Sequence, residues 1–454
     1  MRTQVDVTSK SVRELLERGE EHRLVDVLGN LRPGDISRIM MELNEKDQSS
    51  VFSILVQHDR RLAAETLKVL GVEPGLDLLN QISSEEISKV LQELETDSAT
   101  VFVSALPEEN AQEVLEKMDV EESAEVQHLL QYEEDTAGRI MTPSVFALFE
   151  DLSVSEAIHT IQTAKDLEVI FYLYVVDERN HLVGVVSVRE LLIAPPSTPL
   201  KKIMTTDVIS VATDTDQEEV AREVALYDLL AIPVVDQENK LVGVVTVDDV
   251  IDVIKEEASE DIFYLAGVEG QDHIHTPPLT SVRRRLPWLV VNLATALLAA
   301  TVVAFYEPTI AQFSFLAVFL PVVAGMGGNS GTQTLTVIVR GLALGEISWE
   351  SGKSILSKEI VVGLNNGIVT GILAGLVAYL WKGSYVLGMV LGAAMIINMA
   401  LAGVVATLVP LILRRMNVDP AIASGIFVTT FTDAVGFLSF LGLATYFLQY
   451  LPVS

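Results

Sequence analysis

The chain has 454 residues and no cysteine, which excludes both a disulfide framework and a thiolate metal site. Its formal net charge of −31 argues against nucleic-acid binding. That charge is uneven: residues 1–282 hold 56 acids against 22 bases, while residues 283–454 hold 6 against 9. The first part suits water and the second suits lipid. An acidic surface attracts cations or simply serves solubility, and clustering of the acids is what favours the first reading. The opening residues MRTQVDVTSKSVRELLERGE lack the apolar core of a signal peptide. No GxxxxGK(S/T) phosphate loop is present to drive pumping by ATP.

Residues 1–132 read as short amphipathic helices. DISRIMMELNEKDQSSVF (35–52) and EISKVLQELETDSATVF (86–102) share one pattern, and AQEVLEKMDVEESAEV (111–126) is a looser third copy. Each has apolar residues at helical spacing, a short break and a second helix, so the units are expected to stack into an acidic superhelical domain. That domain is a scaffold and carries no chemistry by itself.

A clearer repeat follows. LYVVDERNHLVGVVSVREL (173–191) realigns with IPVVDQENKLVGVVTVDDV (232–250), and upstream IMTP (140–143) realigns with IMTT (203–206). Each copy reads strand, turn, strand, helix, with LVGVV as a strand buried on both faces. A lone copy would expose one face of its sheet, so the two are expected to pair. Over about 138–262 this resembles a tandem of cystathionine-β-synthase (CBS) domains, with the copies bounded at 133–200 and 201–262. The resemblance implies regulation, with an adenine nucleotide or a metal ion in the cleft; a pair that only dimerises is the plainer alternative.

VDDVIDVIKEEASEDIFYLAGV (247–268) continues the second copy as a connecting helix within 247–282. Asp249, Asp252, Glu256 and Glu260 fall at i, i+3, i+7 and i+11 on one side, and Asp248, Glu257 and Asp261 widen the stripe. Like charges at this spacing repel. A solvated face tolerates the repulsion, whereas a divalent cation would turn it into a gain. Spacing alone leaves both readings open.

From 283 onward five apolar runs are long enough to span a bilayer: about 286–306, 311–339, 359–381, 384–413 and 420–450. Arg283–Arg285, then Arg340, Lys353 and Lys358, then Arg414 and Arg415 flank one side, and the other has only Lys382. The positive-inside rule then puts the N-terminus in the cytoplasm and the C-terminus outside. Trp288 and Trp381 stand near span ends, where aromatic anchors sit, although Trp288 would equally suit an interior. Span two, PVVAGMGGNSGTQTLTVIVRG (321–341), is the most polar. Its Gly325, Gly327, Gly328 and Gly331 permit close helix approach, and Asn329, Thr332, Gln333 and Thr336 follow a helical face. In span five, Gly425, Thr429, Asp433 and Gly436 form a small, polar stripe around a single acid. Polar glue between helices is one account. An intramembrane acid is functional by default, since burying one costs roughly 3 kcal/mol or more.

The order of these parts, with PVVAGMGGNSGTQ and TTFTDAVGF in spans two and five, resembles the MgtE family of magnesium channels and transporters. The resemblance covers nearly the whole chain. It implies a multidomain membrane protein: an all-α superhelical N-terminal domain, an α/β tandem CBS pair and an α-helical transmembrane domain of five spans (283–454). It further implies a homodimer in the plasma membrane with a central Mg²⁺ pore lined by spans two and five. There Asp433 and Thr429 face hydrated Mg²⁺, and Gly325, Gly328, Asn329, Gln333, Gly425 and Gly436 are further lining candidates. It implies closure by cytosolic Mg²⁺ held between Asp97, Asp228, Asp249, Asp252, Glu257, Glu260 and Asp261. In the CBS cleft it implies an adenine nucleotide such as ATP, with residues unassigned. Mg²⁺ releases its water reluctantly and is usually held by a few carboxylates plus waters. One Asp per chain, doubled by a two-fold axis, suits that habit. Two rivals share much of the sequence: a proton-coupled divalent cation transporter, and a non-conducting CBS sensor. No nucleophile–base pair or cofactor fingerprint speaks for an enzyme.

Overall fold

A computed structural model describes residues 2–143, 145–163, 172–268, 276, 278–416, 418–422 and 424–447. The chain divides into two compact units, Met1–Val253 and Ile254–Ser454.

The first unit begins with helices α1 (Arg2–Arg18), α2 (Glu21–Gly29), α3 (Pro33–Met41), α4 (Glu45–His58), α5 (Arg60–Leu70), α6 (Val72–Leu79), α7 (Ser84–Leu91), α8 (Thr96–Ala105), α9 (Glu108–Lys117) and α10 (Val120–Leu129). The three sequence copies become the pairs α3–α4, α7–α8 and α9–α10. Local signals set their ends. The Asn44 side chain accepts from the Asp47 amide, and Ser83 with Glu86 closes a capping box that satisfies two free N–H groups. A single core runs through these helices, from Val12 and Leu24 through Phe52 and Leu67 to Phe102 and Val126.

After α11 (Ala137–Ile140) the tandem repeat folds as two equivalent sheets. The first contains β1 (Ala147–Phe149), α12 (Val154–Thr163), β2 (Tyr172–Val176), β3 (Leu182–Ser187) and α13 (Val188–Ile193). A 3₁₀ turn at Leu200–Lys202 leads to β4 (Val211–Ala212), α14 (Gln217–Leu226), β5 (Ala231–Val235) and β6 (Leu241–Thr246). In each sheet the first strand runs parallel to the second, and the second antiparallel to the third. The polar turns place Asn180 and Asn239 at φ 67° and 61°, a left-handed conformation that Asn tolerates. Those residues also join the copies: Asn180 Nδ2 donates to the Leu241 carbonyl at 3.0 Å, and Asn239 Nδ2 to Leu182 at 3.2 Å. Tyr174, Val176, Leu182, Val235 and Leu241 form a core shared by both sheets, so the expected pairing is present.

The upstream repeat has an unexpected partner. Thr142, ahead of the first copy's strands, exchanges backbone bonds of 2.8 and 3.0 Å with Val244 in the second copy. Thr205 does the same with Val185 in the first copy, at 2.9 and 3.0 Å. Met141 covers Gly243 and Met204 covers Gly184, where a Cβ would collide with the sulfur. Each leader therefore completes the other copy's sheet.

Helix α15 (Val247–Leu265) follows β6, and its last residues begin the second unit. The second unit continues with α16 (Pro278–Phe305), α17 (Glu307–Gln312), α18 (Leu316–Ala343), α19 (Gly352–Lys382), α20 (Tyr385–Arg415) and α21 (Ser424–Tyr446). Among the described residues four helices are long and apolar enough to cross a membrane, with mean hydropathy of 2.1, 1.9, 2.4 and 1.7 for α16, α19, α20 and α21. Helix α18 is equally long at 28 residues, but its polar middle keeps it out of that set. The expected second span begins later than read from sequence, because the short α17 precedes it. Residues 423 and 448–450 of the expected fifth span, and 269–275 and 277 of the expected connecting segment, lie outside the described residues. Helices α19 and α20 pack backbone to backbone: a Cβ at Gly371 would lie 2.7 Å from the Gly392 carbonyl, and one at Gly375 2.5 Å from that of Gly388.

Candidate functional site

In the first unit a carboxylate pair forms across its two parts. Asp97, in the first turn of α8, is only 4% exposed. Its Oδ2 accepts from the Thr142 hydroxyl of the CBS leader at 2.7 Å, and its Oδ1 from the Ser98 amide. Asp249, in the first turn of α15, accepts from the Thr246 hydroxyl at 2.5 Å. Burial pushes Asp249 up to about 7, and the charge of Asp97 adds to it. Burial raises Asp97 as well. Lys68 acts on both: burial tends to lower it, but its 2.7 Å bond to Glu95 and the charges of Glu95, Asp249 and Asp97 hold it above the ordinary lysine range. Two acids under mutual strain with a single lysine nearby would gain from a cation.

The other expected regulatory acids are spread out. Asp228 is exposed in a left-handed turn after α14, with φ 51°, and makes no hydrogen bond or ion pair among the described residues. On α15, Asp252 is exposed, while Glu257, Glu260 and Asp261 are half-buried. Among the described residues no three His, Asp or Glu side chains gather as a cation ligand set. Among the described residues the chain thus brings Asp97 to Asp249, and no wider group of the expected acids gathers around one cation position.

In the second unit, α18 and α21 pack against each other, with Gly331 facing Val428. Their outward sides differ from their packed sides. Gly325, Asn329, Thr332, Gln333 and Thr336 lie exposed along one face of α18, while Val323, Gly327, Ser330, Gly331 and Thr334 are buried on another. Gly325 and Gly328 face open space. On α21, Gly425, Thr429 and Asp433 are half-buried, and Gly436 is buried. Asp433 makes no hydrogen bond or ion pair among the described residues, and the Thr429 hydroxyl donates within its own helix to the Gly425 carbonyl at 2.9 Å. A cavity of about 170 Å³ opens beside Thr429, Gly425 and Thr332, walled by Trp288, Asn292 and the Tyr264–Val268 end of the connecting segment. Trp288 therefore faces this cavity, whereas Trp381 is exposed and packs edge-on against Phe319.

Two buried polar residues escaped the sequence reading. Glu359 of α19 is 5% exposed; it accepts from the Thr334 hydroxyl of α18 at 3.1 Å and lies 3.2 Å from Lys358 Nζ. Asn398 of α20 is fully buried. Asn398 stands alone in the apolar run MIINMALAG, the signal that singles out Asp433, whereas Glu359 follows Ser357 and Lys358 at the polar start of its run.

A helix with one polar flank inside an apolar bundle meets either polar groups of another helix or a polar path. The comparisons define the class: a family model described as a divalent cation transporter matches residues 320–443, which span α18 to α21. The MgtE intracellular N domain matches 31–135, and CBS domains match 137–197 and 200–256. Among similar proteins, the magnesium transporter MgtE of Thermus thermophilus is 36% identical over 97% of this chain and 98% of its own length. That of Bacillus subtilis is 34% identical over 96% of each. A crystal structure of the cytosolic domain of the Mg²⁺ channel MgtE in complex with ATP covers 54% of this chain and 99% of its own, with 39% identity and a TM-score of 0.51. The chain belongs to the MgtE family, whose members are ion transporters rather than enzymes.

Proposed function

We propose that this chain transports Mg²⁺ into the cell as a homodimer in the plasma membrane, with α18 and α21 of both copies lining the path. The observation that carries the reading is Asp433. It is a carboxylate inside a membrane helix, half-buried, without a hydrogen-bond or ion-pair partner among the described residues, one and two turns from Thr429 and Gly425 on the same face. An acid in that setting needs a counter-charge or water. Doubling by a second copy supplies two carboxylates to one hydrated dication, which Mg²⁺ accepts without full dehydration. The exposed polar face of α18 supports the second copy, since lipid would not solvate it. The basic flanks support an N-terminus in the cytoplasm.

Regulation follows from the acids of the first unit. Cytosolic Mg²⁺ binding at Asp97 and Asp249, with Asp228 and Asp252 of the same unit, would stabilise a closed form; Glu257, Glu260 and Asp261, later on α15, are further candidates for Mg²⁺ binding. Loss of the ion would restore repulsion and favour opening, provided the closed form binds it better. The ATP-bound relative supports an adenine nucleotide in the CBS cleft here.

The test is Mg²⁺ uptake into liposomes holding the full chain, with and without a pH gradient. Potential-driven uptake that ignores pH and disappears in Asp433→Asn is expected. Uptake that requires a proton gradient would make the protein an exchanger. No uptake by either protein at low internal Mg²⁺ would leave a sensor.

A further inference from the structure

Asn398 lies in the middle of α20, a helix that supplies no residue to the proposed path. Its Nδ2 donates to the Val323 carbonyl of α18 at 2.9 Å. Its Oδ1 is buried with no hydrogen-bond partner among the described residues. The same amide occupies the space above two glycines on two other helices. A Cβ at Gly327 of α18 would overlap it, and a Cβ at Gly436 of α21 would come within 2.7 Å of Nδ2. One side chain thus touches both helices of the path. Gly436 is one turn beyond Asp433.

An apolar side chain would fill a buried membrane position without leaving an acceptor unpaired. What the amide adds is shape and a directed bond: it is flat enough to fit against two bare backbones and is pinned to one of them.

We propose that Asn398 is a positioning residue for ion transport, a spacer that sets the separation of α18 and α21 and so the placement of the Asp433 carboxylate. This rests on the reading of those helices as the walls of the path. Mg²⁺ demands near-ideal octahedral geometry where Ca²⁺ accepts looser arrangements. A shift in spacing therefore changes discrimination between the two ions, besides any change in rate.

The experiment measures Mg²⁺ and Ca²⁺ uptake by the full chain in liposomes, normalised to folded protein. It compares wild type, Asn398→Ala, Gly436→Ala, the double variant and Asp433→Asn. In Asn398→Ala the half-saturating Mg²⁺ concentration rises by roughly tenfold, the scale on which supporting residues act in metal sites, and the Mg²⁺/Ca²⁺ ratio falls. Gly436→Ala shifts both in the same sense, because its methyl displaces the amide. The double variant moves back toward wild type, because the methyl enters the space the amide has left. A purely structural Asn398 would lower the yield of folded protein while half-saturation and ion ratio stayed at wild-type values, and that result overturns the proposal. If Asn398→Ala does not fold, Gly436→Ala alone decides: a shifted ratio supports the proposal and an unshifted one overturns it. Wild-type transport by Asp433→Asn would instead bring down the underlying reading of the path, so the two failures are distinct.

Discussion

Asp249 carries a consequence for pH opposite to that of an acid held in an ion pair. Its folded-state value of about 7 lies above that of an unfolded aspartate, near 3.9. Between these values the folded chain holds the extra proton, so stability rises as pH falls from about 7 toward about 4. In thermal unfolding of the full chain without divalent cations, the midpoint is expected to climb as pH is lowered from 8 to 5. Asp249→Asn removes most of that climb and melts higher than wild type at pH 8. Added Mg²⁺ at pH 8 stabilises wild type more than the variant; equal stabilisation would argue against cation binding at this pair. Glu359 gives a second test. Thr334→Val leaves its buried Oε2 without the hydroxyl that reaches it at 3.1 Å, a loss of about 1–3 kcal/mol. Thr334→Ser restores the donor. Melting of the two variants in one detergent separates hydrogen bonding from packing.

Between α19 and α20 the glycines meet backbone rather than side chains, so there is nothing flexible to move aside. Gly371→Val is therefore expected to lower the yield of folded, membrane-inserted protein severalfold, an overpacking effect of about 1–3 kcal/mol or more. Gly325→Ala, where the added carbon meets open space, leaves that yield unchanged in the same gel-filtration assay. Sequence alone showed that α18 carried glycines for close approach. It did not show that Gly327 and Gly331 pack inward while Gly325 and Gly328 face out, since that depends on which neighbours surround the helix. For the same reason Gly436 read as part of the polar stripe with Asp433, yet it turns inward against Asn398. The helix-turn-helix copies and the β-strands were legible because their apolar periods and turn residues are local. The late start of α18 was hidden by the apolar residues of FSFLAVFL, which continue the pattern across the break.

At the scale of the molecule, the charge and hydropathy boundary near 283 revealed the two solvents, and the order of parts revealed the family. Long-range partners were less visible: Asp97 meets Thr142 forty-five residues away, and no spacing rule predicts it. If cytosolic Mg²⁺ holds the closed form at Asp97 and Asp249, Asp97→Ala requires several-fold more internal Mg²⁺ to stop uptake. Flux measured at graded internal Mg²⁺ checks this; an unchanged stopping concentration would remove Asp97 from the regulatory set. The exchanged leaders of the CBS pair have a consequence for how such a chain can change over generations. A deletion or recombination event that removed one copy with its leader would strip an edge from the survivor's sheet and leave the remaining leader without a strand to join. The two copies can therefore be inherited, transplanted or lost only together.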